Sequence, residues 1–124
     1  MSEREPQDIR KRAYQYALRA IRLYQYLQKQ RDSAGWILGK QYLRAATSIG
    51  ANIEEAQASE SRADFVHKVG IAQKEARESL FWLRLLTDSH IISNSRLKPL
   101  TKETEELIAV ITAIVLSTKS RHAA

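Results

Sequence analysis

The sequence predicts an all-α protein, an antiparallel up-down-up-down four-helix bundle in a single domain over residues 1–124. Three observations lead there. Only four glycines and two prolines interrupt a chain rich in Ala, Leu, Ile, Arg, Gln and Glu, residues that enter helices at little cost. Apolar residues recur at three- and four-residue steps in four successive stretches. The connections between those stretches are short, which favours helices that fold back on their neighbours.

The first helix is expected over about residues 8–31. Pro6, Gln7 and Asp8 form its entrance, and Ile9, Ala13, Tyr16, Ala20, Leu23, Tyr24 and Leu27 share one face. The second, over about 36–58, carries Leu38, Tyr42, Ala45, Ala46, Ile49, Ile53 and Ala56. Ser61 is a suitable N-cap for the third, over about 62–89, with Asp64 favourable at the positive end of the helix dipole. Its core stripe runs through Phe65, Val69, Ala72, Ala76, Leu80 and Leu83. Ser95 is the expected cap of the fourth, over about 96–119, putting Pro99 in the first turn, where its missing N–H forfeits no helical bond. Leu97, Leu100, Thr104, Leu107, Ile111, Ile114 and Thr118 then repeat almost as a heptad.

A chain of this length can bury one core unaided, and the absence of cysteine excludes disulfides and thiolate metal sites. The charged start, MSEREPQDIRKR, lacks the apolar stretch of a signal peptide. The longest apolar run, Leu107 to Leu116, is about half of the roughly 18 residues a membrane span needs. A cytoplasmic protein without membrane contact is therefore expected.

Apolar residues exceed what one core requires. On the third helix Ile71, Trp82 and Leu85 fall roughly opposite the core stripe. Trp36 and Leu43 flank that of the second, and Leu107, Ile108, Val110, Ile111, Ile114 and Val115 cover more than half of the fourth. Deep packing in an irregular bundle is one explanation. Self-association through Trp36, Ile71, Trp82 and Leu85 is the preferred one.

The net charge of +6 is concentrated early, for residues 1–44 hold ten Lys/Arg against four Asp/Glu. On helix one, Lys11, Arg12, Arg19, Arg22 and Lys29 occupy a wedge about 100° wide together with Tyr26. Cations interleaved with an aromatic suit phosphates and a stacked base, although a solvated helix face has the same look. Lys40, Arg44, Lys119 and Arg121 are candidates to extend the patch.

Residues in catalytic or metal-binding patterns are few. A di-iron bundle needs a His three residues after a Glu, and Glu54, Glu55, Glu75 and Glu78 are followed there by Gln57, Ala58, Glu78 and Phe81. His67 and His90 have no helical ligand pair, so no metal or cofactor is expected. No nucleophile elbow or phosphate loop is present. An enzyme using Glu55, Glu75 and His67 is the weakest of three functional readings.

Gly50 stands within a helical run at roughly 1 kcal/mol relative to alanine. With Ala46 four residues earlier and Gly70 on the next helix, it predicts a packing notch between helices two and three. Asn52 is then expected to bond across to helix three or to a backbone carbonyl, and Gly50→Leu to weaken folding or assembly.

Two motifs carry a resemblance. Arg44-Ala-Ala-Thr-Ser-Ile-Gly-Ala-Asn-Ile53, followed by Glu55 and Ser59/Ser61, is the first. Asp64-Phe-Val-His-Lys-Val-Gly-Ile-Ala72, with Lys74-Glu-Ala-Arg-Glu78 and Leu83 to Leu86, is the second. Together they resemble the four-helix-bundle family encoded in intervening sequences of bacterial 23S rRNA genes. The resemblance implies a left-handed bundle assembling as a homopentamer around a central channel, with no established enzyme activity and an association with nucleic acid. It also implies likeness to the accessory variability protein of diversity-generating retroelements, a basic pentamer that contacts a reverse transcriptase and RNA. Glu54 and Ala56 depart from the family, which more often shows Ala and Gly there. The function expected is a non-enzymatic oligomeric scaffold binding RNA or DNA through the basic face. The alternative is an adaptor that docks a reverse transcriptase or another nucleic-acid enzyme.

Overall fold

Helix capping sets the frame. The computed structural model of the protein describes residues 6–123, with side chains from 9 to 120. Four helices form, α1 (Pro6–Lys29), α2 (Ser33–Gln57), α3 (Arg62–Asp88) and α4 (Asn94–Ala123), and no strand occurs among the described residues. Asp32 caps α2, its Oδ1 accepting from the Gly35 amide at 3.0 Å, and Ser61 Oγ caps α3 by accepting from Asp64 at 3.0 Å. The start of α4 differs from expectation. Ser93, not Ser95, accepts the Arg96 amide, with its Oγ at 3.4 Å and its carbonyl at 3.2 Å. Pro99 is consequently inside the helix, and it offers no N–H to the carbonyl of Ser95.

The turns after α1 and α3 share a device. Arg31 (φ 57°) and His90 (φ 65°) adopt the left-handed conformation that usually falls to glycine after a helix. Behind His90, the amides of Ile91 and Ile92 both return to Leu86 O at 3.2 Å, closing the end of α3. Because α2 begins at Ser33, Gly35 and Gly39 lie within it.

Each helix packs along its chain neighbour, and α1 meets α4 more sparingly to complete a four-helix bundle. Ile9, Ala13, Ala20 and Leu27 of α1 pack with Ile49 and Ile53 of α2, Val69, Ala72 and Leu83 of α3, and Leu107 and Ile111 of α4. A polar layer crosses this apolar core, with one buried member from each helix: Tyr16, Tyr42, Ser79 and Thr104. Thr104 Oγ1 donates to Leu100 O at 2.8 Å, so the 2.5 Å bond to Tyr16 must have the phenol as donor. Ser79 Oγ donates to Glu75 O at 2.9 Å. Tyr42, edge-on to Tyr16 with ring centroids 6.3 Å apart, has no hydrogen-bond partner for its hydroxyl among the described residues. Burial pushes the pKa of both phenols up from 10.0, that of Tyr42 well above it.

The notch at Gly50 faces α1 instead of α3. A Cβ there would sit 3.5 Å from Ala13 O and 3.7 Å from Ala13 Cβ, an ordinary contact, and Gly50 also lines the groove between α1 and α2. Gly70 does not face it, since a Cβ on Gly70 would meet nothing within 4 Å. The tightest approaches are at Gly39, where a Cβ would come within 2.8 Å of Leu27 Cδ1, and at Gly35, 3.0 Å from Ile91 Cγ2. Ala46 is buried in the core, and Asn52 Nδ2 donates to Ser48 O of its own helix at 2.9 Å. Among the described residues no helix is long and apolar enough to cross a membrane.

Candidate nucleic-acid interface

The basic wedge of α1 divides into two parts. Lys11, Arg22 and Lys29, spaced by eleven and seven residues, stand exposed on one line along the helix and make no salt bridge among the described side chains. Nothing acidic interrupts them, because residues 9–31 contain no Asp or Glu. Arg12, Arg19 and Tyr26, seven residues apart, form a second line turned toward α4, and all three are half-buried.

Two members of that second line are already engaged. Arg12 grips Glu103 at 2.8 and 3.2 Å and Glu106 at 3.0 Å, and the bidentate bond to Glu103 raises its pKa further. Expected as an open contact, Arg12 instead ties α1 to α4. The ring face of Tyr26 is covered by the Arg96 guanidinium at 4.2 Å, so that face is closed to a stacked base. Arg19 makes no salt bridge or side-chain hydrogen bond with a described residue.

The outlying candidates are mostly committed as well. Arg44 pairs with Glu78 and lies 3.6 Å from Glu75, while Lys40 rests over the Trp36 ring at 4.7 Å. Lys119 is exposed, and Arg121 lies outside the described side chains. Glu55 pairs with Lys68 at 3.9 Å. No group of three His, Cys, Asp or Glu suited to a metal ion occurs among the described residues.

The apolar residues expected at an interface fall on two faces. Trp36 shares a stripe of α2 with Leu43, Thr47, Gly50 and Glu54, which faces α1: Gly50 abuts Ala13, and Glu54 bonds Arg10 at 2.9 Å. Ile71, Trp82 and Leu85 share a stripe of α3 with Glu75 and Glu78, which faces α2 through Arg44. Trp82 and Ile71 are half-buried, and Trp82 Nε1 donates to Glu78 at 3.0 Å. They therefore flank the core instead of opposing it. Trp36 and Leu85 remain 41% and 36% exposed. Periodicity missed Tyr14, Ile21, Ile37, Phe81 and Leu116, which are also exposed; each lies off the apolar stripe of its helix. Tyr14, Ala17 and Thr47 line a groove of about 210 Å³ between α1 and α2, bounded by the Arg10–Glu54 pair.

Comparison with known proteins fits this bundle. A family model described as 23S rRNA-intervening sequence protein matches residues 5–113. The crystal structure of a protein of unknown function from the S23 ribosomal protein family of Bacteroides thetaiotaomicron VPI-5482 is similar at a TM-score of 0.81. The two are 34% identical, over 86% of this chain and 97% of that one. No curated protein matches. With a match extending over most of its helices, the chain belongs to the family of 23S rRNA-intervening sequence proteins.

Proposed function

We propose that the protein is a non-enzymatic oligomeric scaffold of the cytoplasm that binds RNA through the outward basic face of α1. The observation that carries this reading is the line of Lys11, Arg22 and Lys29, exposed and without a carboxylate partner among the described residues, on a helix free of acids from residue 9 onward. A face that only needed to be soluble gains nothing from excluding acids, whereas a phosphate backbone is attracted by it. RNA is taken as the polyanion here, and a duplex DNA of the same charge is the control that separates the two.

The scaffold in this reading is an antiparallel, up-down-up-down bundle that assembles as a homopentamer. Contacts between neighbours pair rising with falling residue numbers: Arg10 with Glu54, then Leu27 beside the Gly39 position; Arg44 with Glu75, then Glu55 with Lys68; Arg12 with Glu103, then Tyr26 with Arg96. That pattern supports antiparallel neighbours. Exposed Tyr14, Trp36, Phe81 and Leu85 support self-association, and the number five comes from the family resemblance. Repetition around a closed ring would multiply the basic face.

Filter binding with a structured RNA tests the reading. Retention at low ionic strength that falls steeply with added salt is expected. No retention at low salt would sink it, and a reverse transcriptase that binds the oligomer without RNA retention would favour a protein adaptor.

A further inference from the structure

The seam between α1 and α4 contains a cation that the fold itself does not use. On α1, Arg12, Arg19 and Tyr26 follow one another at seven-residue steps; on α4, Arg96, Pro99, Glu103 and Glu106 form the matching stripe. The two ends of this seam are paired, Arg12 with Glu103 and Glu106, and Tyr26 under Arg96. Arg19, midway between these pairs on α1, runs alongside the stretch of α4 between Arg96 and Glu103, at whose middle stands Pro99, a residue with neither a side-chain acceptor nor an N–H. Arg19 is half-buried and meets no carboxylate among the described residues. Its charge reaches inward, where it opposes the upward push that burial gives the pKa values of Tyr16 and Tyr42. A guanidinium on a half-buried stem, with no carboxylate beside it among the described residues, is free to pair with an anion supplied from outside.

The surroundings are suited to supplying one. Residues 94–102 of α4 contain no acid, as residues 9–31 of α1 do not. Arg22 lies exposed one turn along from Arg19, while Lys98 and Lys102, one turn apart, are exposed on the outer side of α4. The Arg96–Tyr26 stack closes the site at one end and the Arg12–Glu103 pair at the other.

We infer that Arg19 anchors a backbone phosphate of bound RNA in the α1–α4 seam, with Arg22 and Lys102 neutralising the phosphates on either side. This rests on the RNA-binding reading and adds to it a defined contact and the participation of α4. A guanidinium offers two parallel N–H donors to a phosphate, which a lysine on the open face cannot do.

Fluorescence anisotropy of the full chain with a labelled RNA hairpin tests it across a salt series. Arg19→Gln is expected to weaken binding about tenfold and to lower the slope of log affinity against log salt by about one. Arg19→Lys is expected to keep the slope while losing affinity, and Lys98→Gln/Lys102→Gln to lower the slope. Arg77→Gln, on the outer face of α3, should change neither. Thermal melting keeps the result interpretable, since removing an unpaired half-buried charge should leave the fold at least as stable. Wild-type RNA binding unaffected by both the Arg19 and the α4 substitutions overturns the inference and leaves the α1 face standing. Failure of the wild-type chain to bind overturns the RNA reading itself.

Discussion

Tyr42 presents a hydroxyl to the centre of the bundle that makes no hydrogen bond of normal geometry with a described residue, while Tyr16 beside it donates to Thr104. An unmade buried hydrogen bond carries a penalty that a made one does not. Tyr42→Phe is therefore expected to leave stability unchanged or raise it by up to about 1 kcal/mol, and Tyr16→Phe to lower it by about 1 kcal/mol, as read from chemical denaturation. The same burial gives a pH dependence. Both phenols have pKa values raised in the folded protein, so their contribution is complete below the unfolded value near 10 and is lost as pH rises through the folded values. Stability should fall above about pH 10, and less steeply in Tyr42→Phe. The sequence showed these two tyrosines only as members of apolar stripes. Spacing on one helix reveals that a residue is buried, but not that its hydroxyl meets a threonine 88 residues away.

Among the elements, periodicity located the helices well and their starts less well. The core stripes of α1 and α2 are buried as their spacing implies except at Leu23, Tyr24 and Leu38, which are half-buried, because burial of one face is what three- and four-residue steps report. The start of α4 was misplaced because two serines, Ser93 and Ser95, compete to cap it. Local rules rank them by the convenience of Pro99, whereas the chain leaves α3 through the tight return to Leu86 and reaches the earlier serine first. Pro99 thereby withholds a donor inside α4. Pro99→Ala is expected to raise stability by about 1–3 kcal/mol, visible as a higher melting temperature; no change would mean that the helix already accommodates the ring without strain. The glycines teach a similar lesson. Gly50 was legible as a close-packing position, but which helix it abuts depends on the register of the whole bundle. Placing the start of α2 three residues late left Gly35 outside the helix, and Gly39, inside it, drew no notice, although their four-residue spacing is the available signal.

At the scale of the whole molecule, charge and apolar surface make separate demands. Exposed side chains such as Tyr14 (64%) and Phe81 (50%) are more than a 14.2 kDa monomer needs to show to water. Light scattering should give a mass that is a multiple of 14.2 kDa, near fivefold for the proposed pentamer, and Trp36→Lys/Leu85→Lys should reduce it. A monomer at micromolar concentration would refute self-association. Of the candidate site, the run of cations free of acids could be read directly, because it depends on one helix alone. That Arg12 is spent on Glu103 and Tyr26 on Arg96 could not, since those partners arrive from the far end of the chain.

In the proposed function the exposed cations of α1 hold RNA. The salt dependence of RNA affinity in Lys11→Gln/Arg22→Gln/Lys29→Gln, compared with the wild type, tests it most directly. Loss of three phosphate contacts should lower the log–log salt slope by about three and weaken binding uniformly across RNA sequences. An unchanged slope and affinity in a folded triple variant would contradict the account.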